Sequence, residues 1–183
     1  MLLSNIGIDV TQEAITIAAG LTKIIEENGM RIDQMADAIA KLHLNAKLWY
    51  KEHASIDDIA TLLDTYRYPV GVEWQGIFEE DEDTYDENSG HYSIVTRVDT
   101  DHNALIIVDP YKDFAAQDRI IGNTTFQKRW WDENEIPDAT TGVIREIRDE
   151  ELLFVVTPSS ITFPPELVML SSAQYSVGKI NGR

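Results

Sequence analysis

Hydrophobic positions fall at helical spacing in the first third of the chain and at alternating spacing through its middle. Thr11 can cap a helix running from Gln12 to about Ala19, with Gly20 ending it. Asp33 is the expected cap of a second helix, in which Met35, Ile39 and Leu42 fall near i, i+4 and i+7. Ala46 to Tyr50 reads as a short strand. Ser55 with Asp58 three residues on forms a capping box, with Asp in place of the usual Glu, and Ile56, Ile59, Leu62 and Leu63 make one apolar stripe after it. Strands then take over. Pro69 to Phe78 alternates around Val70, Val72, Trp74 and Gly76. Tyr92 to Val98 and Ala104 to Val108 predict a hairpin around the polar turn Thr100-Asp101-His102-Asn103. Phe126 to Trp131 reads as a short helix, and Val143 to Ile147 with Leu152 to Thr157 as a last strand pair. Helices first and antiparallel strands after them predict an α+β fold.

The length of 183 residues suits one domain, expected over residues 1–157. Residues 158–183, with Pro164-Pro165 and a Ser/Gly-rich end, form a tail whose structure the pattern leaves open. There is no repeat and no linker.

Composition changes this picture in two ways. Hydrophobic and charged fractions are those of an ordinary globular chain, but the net charge is −17. That charge argues against nucleic acid, whose phosphates need clustered Lys and Arg, and against anionic membrane surfaces. It favours solubility, cationic partners or metal ions. The chain also has no cysteine, which removes disulfides and thiolate metal sites. No stretch approaches the roughly 20 apolar residues of a membrane span. The start Met1 to Asp9 lacks the basic region of a signal peptide, so a cytoplasmic location is expected. Four widely spaced histidines without an H-E-x-x-H do not suggest zinc, and no cofactor is expected. His43, His53 and His102 read as structural or exposed. Trp74, Trp130 and Trp131 read as core anchors rather than cleft walls. The acidic run Glu79-Glu80-Asp81-Glu82-Asp83, continuing to Asp86-Glu87, reads as a solvated loop. Its other reading is a guard over a cleft that attracts a basic substrate or a divalent cation, although it lacks EF-hand spacing.

The candidate chemistry sits in Gly90-His91-Tyr92 and Val108-Asp109-Pro110-Tyr111. A histidine opens one strand and an aspartate closes the next. In a hairpin turning near Asp101 and His102, both fall at the same open end, where their side chains can approach. An Asp beside a His fixes the imidazole tautomer and stabilises the imidazolium, as in acyl-transfer enzymes. The plainer reading is a structural His and an Asp-Pro turn.

In order along the chain, Gly7 to Glu13, Tyr68-Pro69-Val70-Gly71-Val72-Glu73-Trp74, Gly90-His91-Tyr92 with Val95 and Val98-Asp99, Val108 to Tyr111, and Phe126 with Arg129-Trp130-Trp131 form an ordered set. That set resembles the papain-fold cysteine peptidases related to the double-glycine leader peptidases, the group that includes the peptidase domain of bacteriocin exporters. The resemblance covers roughly residues 1–135. It implies a papain-like fold, a peptide or protein substrate, His91 as general base and Asp109 as its orienting partner. The family's nucleophilic cysteine opens the first helix, a few residues after an oxyanion-hole glutamine. Met1 to Ile6 looks like only the end of that helix, which puts the cysteine position upstream of Met1. Ser4 is a candidate substitute, at the wrong end of the helix. The expectation is therefore a cysteine-peptidase-like domain that is truncated or inactive as given, with a partner chain able to fill the groove at the shortened helix. A pseudopeptidase that binds peptides or proteins, and an unrelated structural α+β domain, are the alternatives.

Overall fold

The computed structural model describes residues 1–21, 29–78, 90–111, 113–114, 116–137 and 140–171. Its elements run, in order, α1 (Leu2–Asn5), α2 (Gln12–Ala19), α3 (Ile32–Lys41), β1 (Ala46–Lys51), α4 (Ile56–Asp64), β2 (Val70–Gln75), β3 (Gly90–Asp99), β4 (Ala104–Val108), β5 (Asp118–Gly122), α5 (Asn123–Arg129), β6 (Trp131–Pro137), β7 (Ile144–Glu150), β8 (Leu153–Pro158), a 3-10 turn (Pro165–Leu167) and β9 (Leu170–Ser171). The chain is α+β, with antiparallel strand pairing. Among the described residues no helix is long and apolar enough to cross a membrane. Two compact units form: Met1–Tyr50 with Val155–Arg183, and Lys51–Phe154.

The first unit is helical at its start. Thr11 Oγ1 accepts the Ala14 N–H at 3.1 Å, and Gly20 takes the left-handed conformation that ends α2. The cap of α3 differs from the sequence expectation. It is Arg31, not Asp33. The Gln34 side chain accepts the Arg31 N–H at 3.0 Å, while Asp33, inside the first turn, binds the Arg31 guanidinium at 3.0 and 3.1 Å. An acid in the first turn is favourable at the positive end of the helix, so Asp33 contributes there without capping. Leu48, Trp49 and Tyr50 of β1 are buried, and β1 pairs with β9 through Trp49↔Ser171 and Tyr50↔Leu170. Phe163 lies edge-on to Trp49, and Trp49 Nε1 donates to Thr157 Oγ1 at 3.2 Å. The segment after Pro158 is thus folded as far as Ser171, and 172–183 lie outside the described residues.

The second unit carries the sheet that positions the candidate site. Ser55 and Asp58 form the expected capping box at α4. Strand β2 pairs with β3 from Val70↔Val95 to Gln75↔Gly90, and with the start of β8 at Gly71↔Phe154 and Val72↔Leu153. The β3–β4 hairpin forms as the alternation predicts, with a register shift between Val95 and Arg97. Strand β5, which the pattern did not suggest, pairs with β4. All six residues of β2 are buried, so its polar alternate positions do not face water.

Two further expectations fail here. The Phe126 helix spans Asn123–Arg129, and Trp131 opens a strand instead of closing the helix. Trp130 leaves the helical conformation because its indole N–H is held by the Leu152 carbonyl at 2.9 Å and its carbonyl accepts the Glu151 N–H at 2.8 Å. The last strand pair is also different. Strand β7 pairs with β6 as a separate ribbon, while the start of β8 joins β2. Arg145, Glu146, Arg148, Asp149 and Glu150 make β7 a charged strand suited to a surface ribbon, whereas Leu153 to Val156 is a continuous apolar run suited to burial.

Candidate functional site

Directly opposed residues on neighbouring strands share a face, and alternate residues on one strand share it too. The pairs Trp74↔His91, Val72↔Ser93, Val95↔Ile107 and Ile107↔Arg119 therefore put His91, Ser93 and Arg119 on one face of the sheet. Asp109, two residues beyond Ile107, continues along that face. The hairpin thereby brings the two residues singled out in the sequence together: His91 Nε2 lies 2.6 Å from Asp109 Oδ1.

Asp109 is held from three sides. Its Oδ1 also accepts the Tyr111 N–H at 2.9 Å, closing the turn that Pro110 forces. Its Oδ2 accepts Arg119 Nη1–H. The carboxyl is buried, at 1 % exposure. Burial by itself pushes its pKa up. The Tyr111 N–H, His91 and Arg119 more than offset that and hold it below the ordinary 3.8. Asp109 is accordingly an anion, and an anion can only accept. The imidazole must donate from Nε2, so in its neutral form the lone pair is on Nδ1. Among the described residues Nδ1 has no hydrogen-bond partner.

Aromatic rings wall the pair. Phe78 meets the His91 ring edge-on at 5.2 Å and the Tyr111 ring at 4.7 Å. The Arg119 guanidinium lies 3.7 Å from the Phe114 ring centroid, and its Nη2 donates to the Ile77 carbonyl. The His91 side chain keeps 16 % of its surface exposed. The site is a short hydrogen-bonded chain, Arg119 to Asp109 to His91, ending in a part-exposed imidazole.

Arg119 was not visible in the sequence. Asp118 to Gly122 is a five-residue strand with one arginine, and only its pairing with β4 reveals which way that arginine faces. The short apolar pair Ile120-Ile121 was the signal available. Ser93 shares the face, but its Oγ is buried and accepts the Trp74 indole N–H at 3.0 Å, so it is occupied. Ser4 lies in the first unit, exposed, with its Oγ donating to the Met1 carbonyl at 2.9 Å. His43, His53 and His102 are exposed, and His102 pairs with Asp99 at 3.0 Å. Trp74 and Trp130 are buried, and Phe126 packs between them at 5.6 and 4.9 Å; Trp131 is half-buried. The acidic run from Glu79 to Glu87 lies outside the described residues. No protein-family model matches the chain, and no curated protein sequence matches it.

Proposed function

We propose that this chain is a papain-like, cysteine-peptidase-type domain of the double-glycine leader peptidase kind. It holds the base half of an acyl-transfer site and does not turn over peptides with the residues it carries here. The observation behind this reading is the 2.6 Å His91–Asp109 bond, made through Nε2 and anchored by Arg119, which leaves Nδ1 available to take a proton. Given a thiol, His91 would remove its proton, the thiolate would attack a peptide carbonyl, and Asp109 would steady the imidazolium until the proton passes to the leaving amine. No cysteine is present to play that part. The lack of cysteine also favours a second reading, a peptide-binding module that keeps the walls of the site, Phe78 and Tyr111, without the chemistry.

The test has two arms. Peptide and ester substrates should show no turnover above buffer. Turnover that disappears in His91→Ala would overturn the inactive reading. In an NMR titration with unstructured lysine-containing peptides, the resonances of His91, Phe78 and Tyr111 should shift. If those resonances stay still at saturating peptide, the binding reading fails.

A further inference from the structure

On the opposite face of the β2–β3 pair three acids meet. Glu73 of β2, Asp132 of β6 and Asp149 of β7 are all buried, Glu73 to 2 % exposure. The Glu73 carboxyl is hydrogen-bonded to that of Asp132 and to the side chain of Tyr92, its cross-strand neighbour on β3. Asp132 Oδ1 accepts from Gln75 Nε2 at 3.0 Å, and the same amide reaches the Trp131 carbonyl at 3.2 Å. Asp149 Oδ2 accepts from Asn134 Nδ2 at 3.0 Å. Glu133, the next acid on β6, is exposed. The buried Arg129 at the end of α5 donates from Nη1 to the Gly76 carbonyl at 3.4 Å. One oxygen, Glu73 Oε2, is buried with no donor to satisfy it.

An ionised carboxyl has no hydrogen to give, so two carboxyls bond to each other only when one keeps its proton. A proton on Glu73 supplies that bond and leaves Oε2 a neutral carbonyl oxygen, which costs less to bury without a donor than a carboxylate oxygen does. A metal ion is a poorer account, because among the described residues no group of three or more acids or histidines is disposed to hold one.

We infer that Glu73 and Asp132 share one proton, and that this proton latches the β6–β7 ribbon onto the sheet. The inference is independent of the peptidase reading. Burial and the charges of Asp132 and Asp149 push the Glu73 carboxyl well above 4.5, and burial pushes Asp132 above 3.8. While the pair keeps its proton, Glu73 is the donor and Asp132 the acceptor. As pH rises, the proton is lost, two anions face each other in a buried site, and the ribbon is driven off. The latch also touches the start of β3. A Cβ at Gly90 would overlap the Asp132 carboxylate, so that carboxylate bears directly on the backbone before His91.

Two measurements on the whole chain test this. Infrared absorption followed as pH rises above the ordinary Glu pKa should show one carboxylic acid that outlasts the others, and Glu73→Gln should remove it. Hydrogen exchange of the β6 and β7 amides, corrected for its intrinsic pH dependence, should report opening of the ribbon. The opening constant should rise about tenfold per pH unit between the ordinary Glu pKa and the folded one. In Glu73→Gln, where an amide donates without titrating, it should change less than about twofold over the same range. An absent carboxylic-acid band, a flat wild-type profile, or a slope that survives in Glu73→Gln overturns the inference. Should Glu73→Gln not fold, the wild-type band and profile still decide, with Asp132→Asn as the second variant expected to lose the slope.

Discussion

The two faces of the β2–β3 pair solve the problem of a buried carboxylate in opposite ways. On one face Asp109 stays ionised, because Arg119, His91 and a backbone N–H surround it. On the other, Glu73 is pushed toward its neutral form by burial and by the nearby Asp132 and Asp149. Neighbouring residues of β3 reach the two carboxyls in turn, His91 bonding Asp109 and Tyr92 bonding Glu73. What differs is the neighbour each face receives: β5, beside β4 in the sheet, brings a cation, and the ribbon brings more acid. A charge in a low-dielectric site must be compensated or removed, and each face shows one of those outcomes.

The largest expected effect comes from breaking the compensated face. Asp109→Ala strands the part-buried Arg119 guanidinium and should cost about 3 kcal/mol in chemical denaturation, the lower end of the loss typical when one partner of a buried ion pair is removed. A loss below about 1 kcal/mol would mean that Arg119 finds another partner or water, and the contrast between the faces would weaken. Next comes crowding on the proton-sharing face. Gly90→Ala forces the Asp132 carboxylate to move and should cost about 1–3 kcal/mol. Gly122→Ala, where the space is open and φ is −59°, should cost less than about 0.5 kcal/mol. Equal costs at the two glycines would remove the packing argument.

The pH profile of stability sharpens the comparison further. Asp109 titrates below its ordinary 3.8 in the fold, so its contribution is complete above that value and is lost as pH falls through the folded pKa. Glu73 titrates well above its ordinary 4.5, so its contribution is complete below that value and is lost as pH rises through the folded pKa. Each limb should have a slope approaching about 1.4 kcal/mol per pH unit per proton. Asp109→Asn should flatten only the acid limb, and Glu73→Gln only the upper one. A variant that flattens the wrong limb reverses the assignment. The smallest effect is expected on the outer surface of the ribbon. Arg148, which is exposed, pairs with Glu133 and Glu150 and lies 4.1 Å from the Trp131 ring centroid. Arg148→Ala should cost less than about 1 kcal/mol in thermal or chemical denaturation, and added salt should shrink the difference.

The sequence alone determined what is local. Thr11, Gly20 and the Ser55–Asp58 box set helix ends because caps act within a few residues, although Arg31 took the position expected for Asp33. The meeting of His91 and Asp109 was legible in part. A hairpin with a short turn puts both at its open end, but the pairing beside the turn, Asp99↔Ala104, would set them on opposite faces, and only the register shift between Val95 and Arg97 brings them onto one. Tertiary structure decided the rest. Alternation along β2 tells which residues share a face, but not whether the second face meets water or a ribbon of acids, so nothing in it singled out Glu73. Arg119 became part of the site only because β5 docked beside β4, and β7 chose β6 over Leu153 to Pro158. Those pairings join strands by hydrogen bonds and burial that no short window of sequence contains. A side chain's charge state follows from what those pairings place around it.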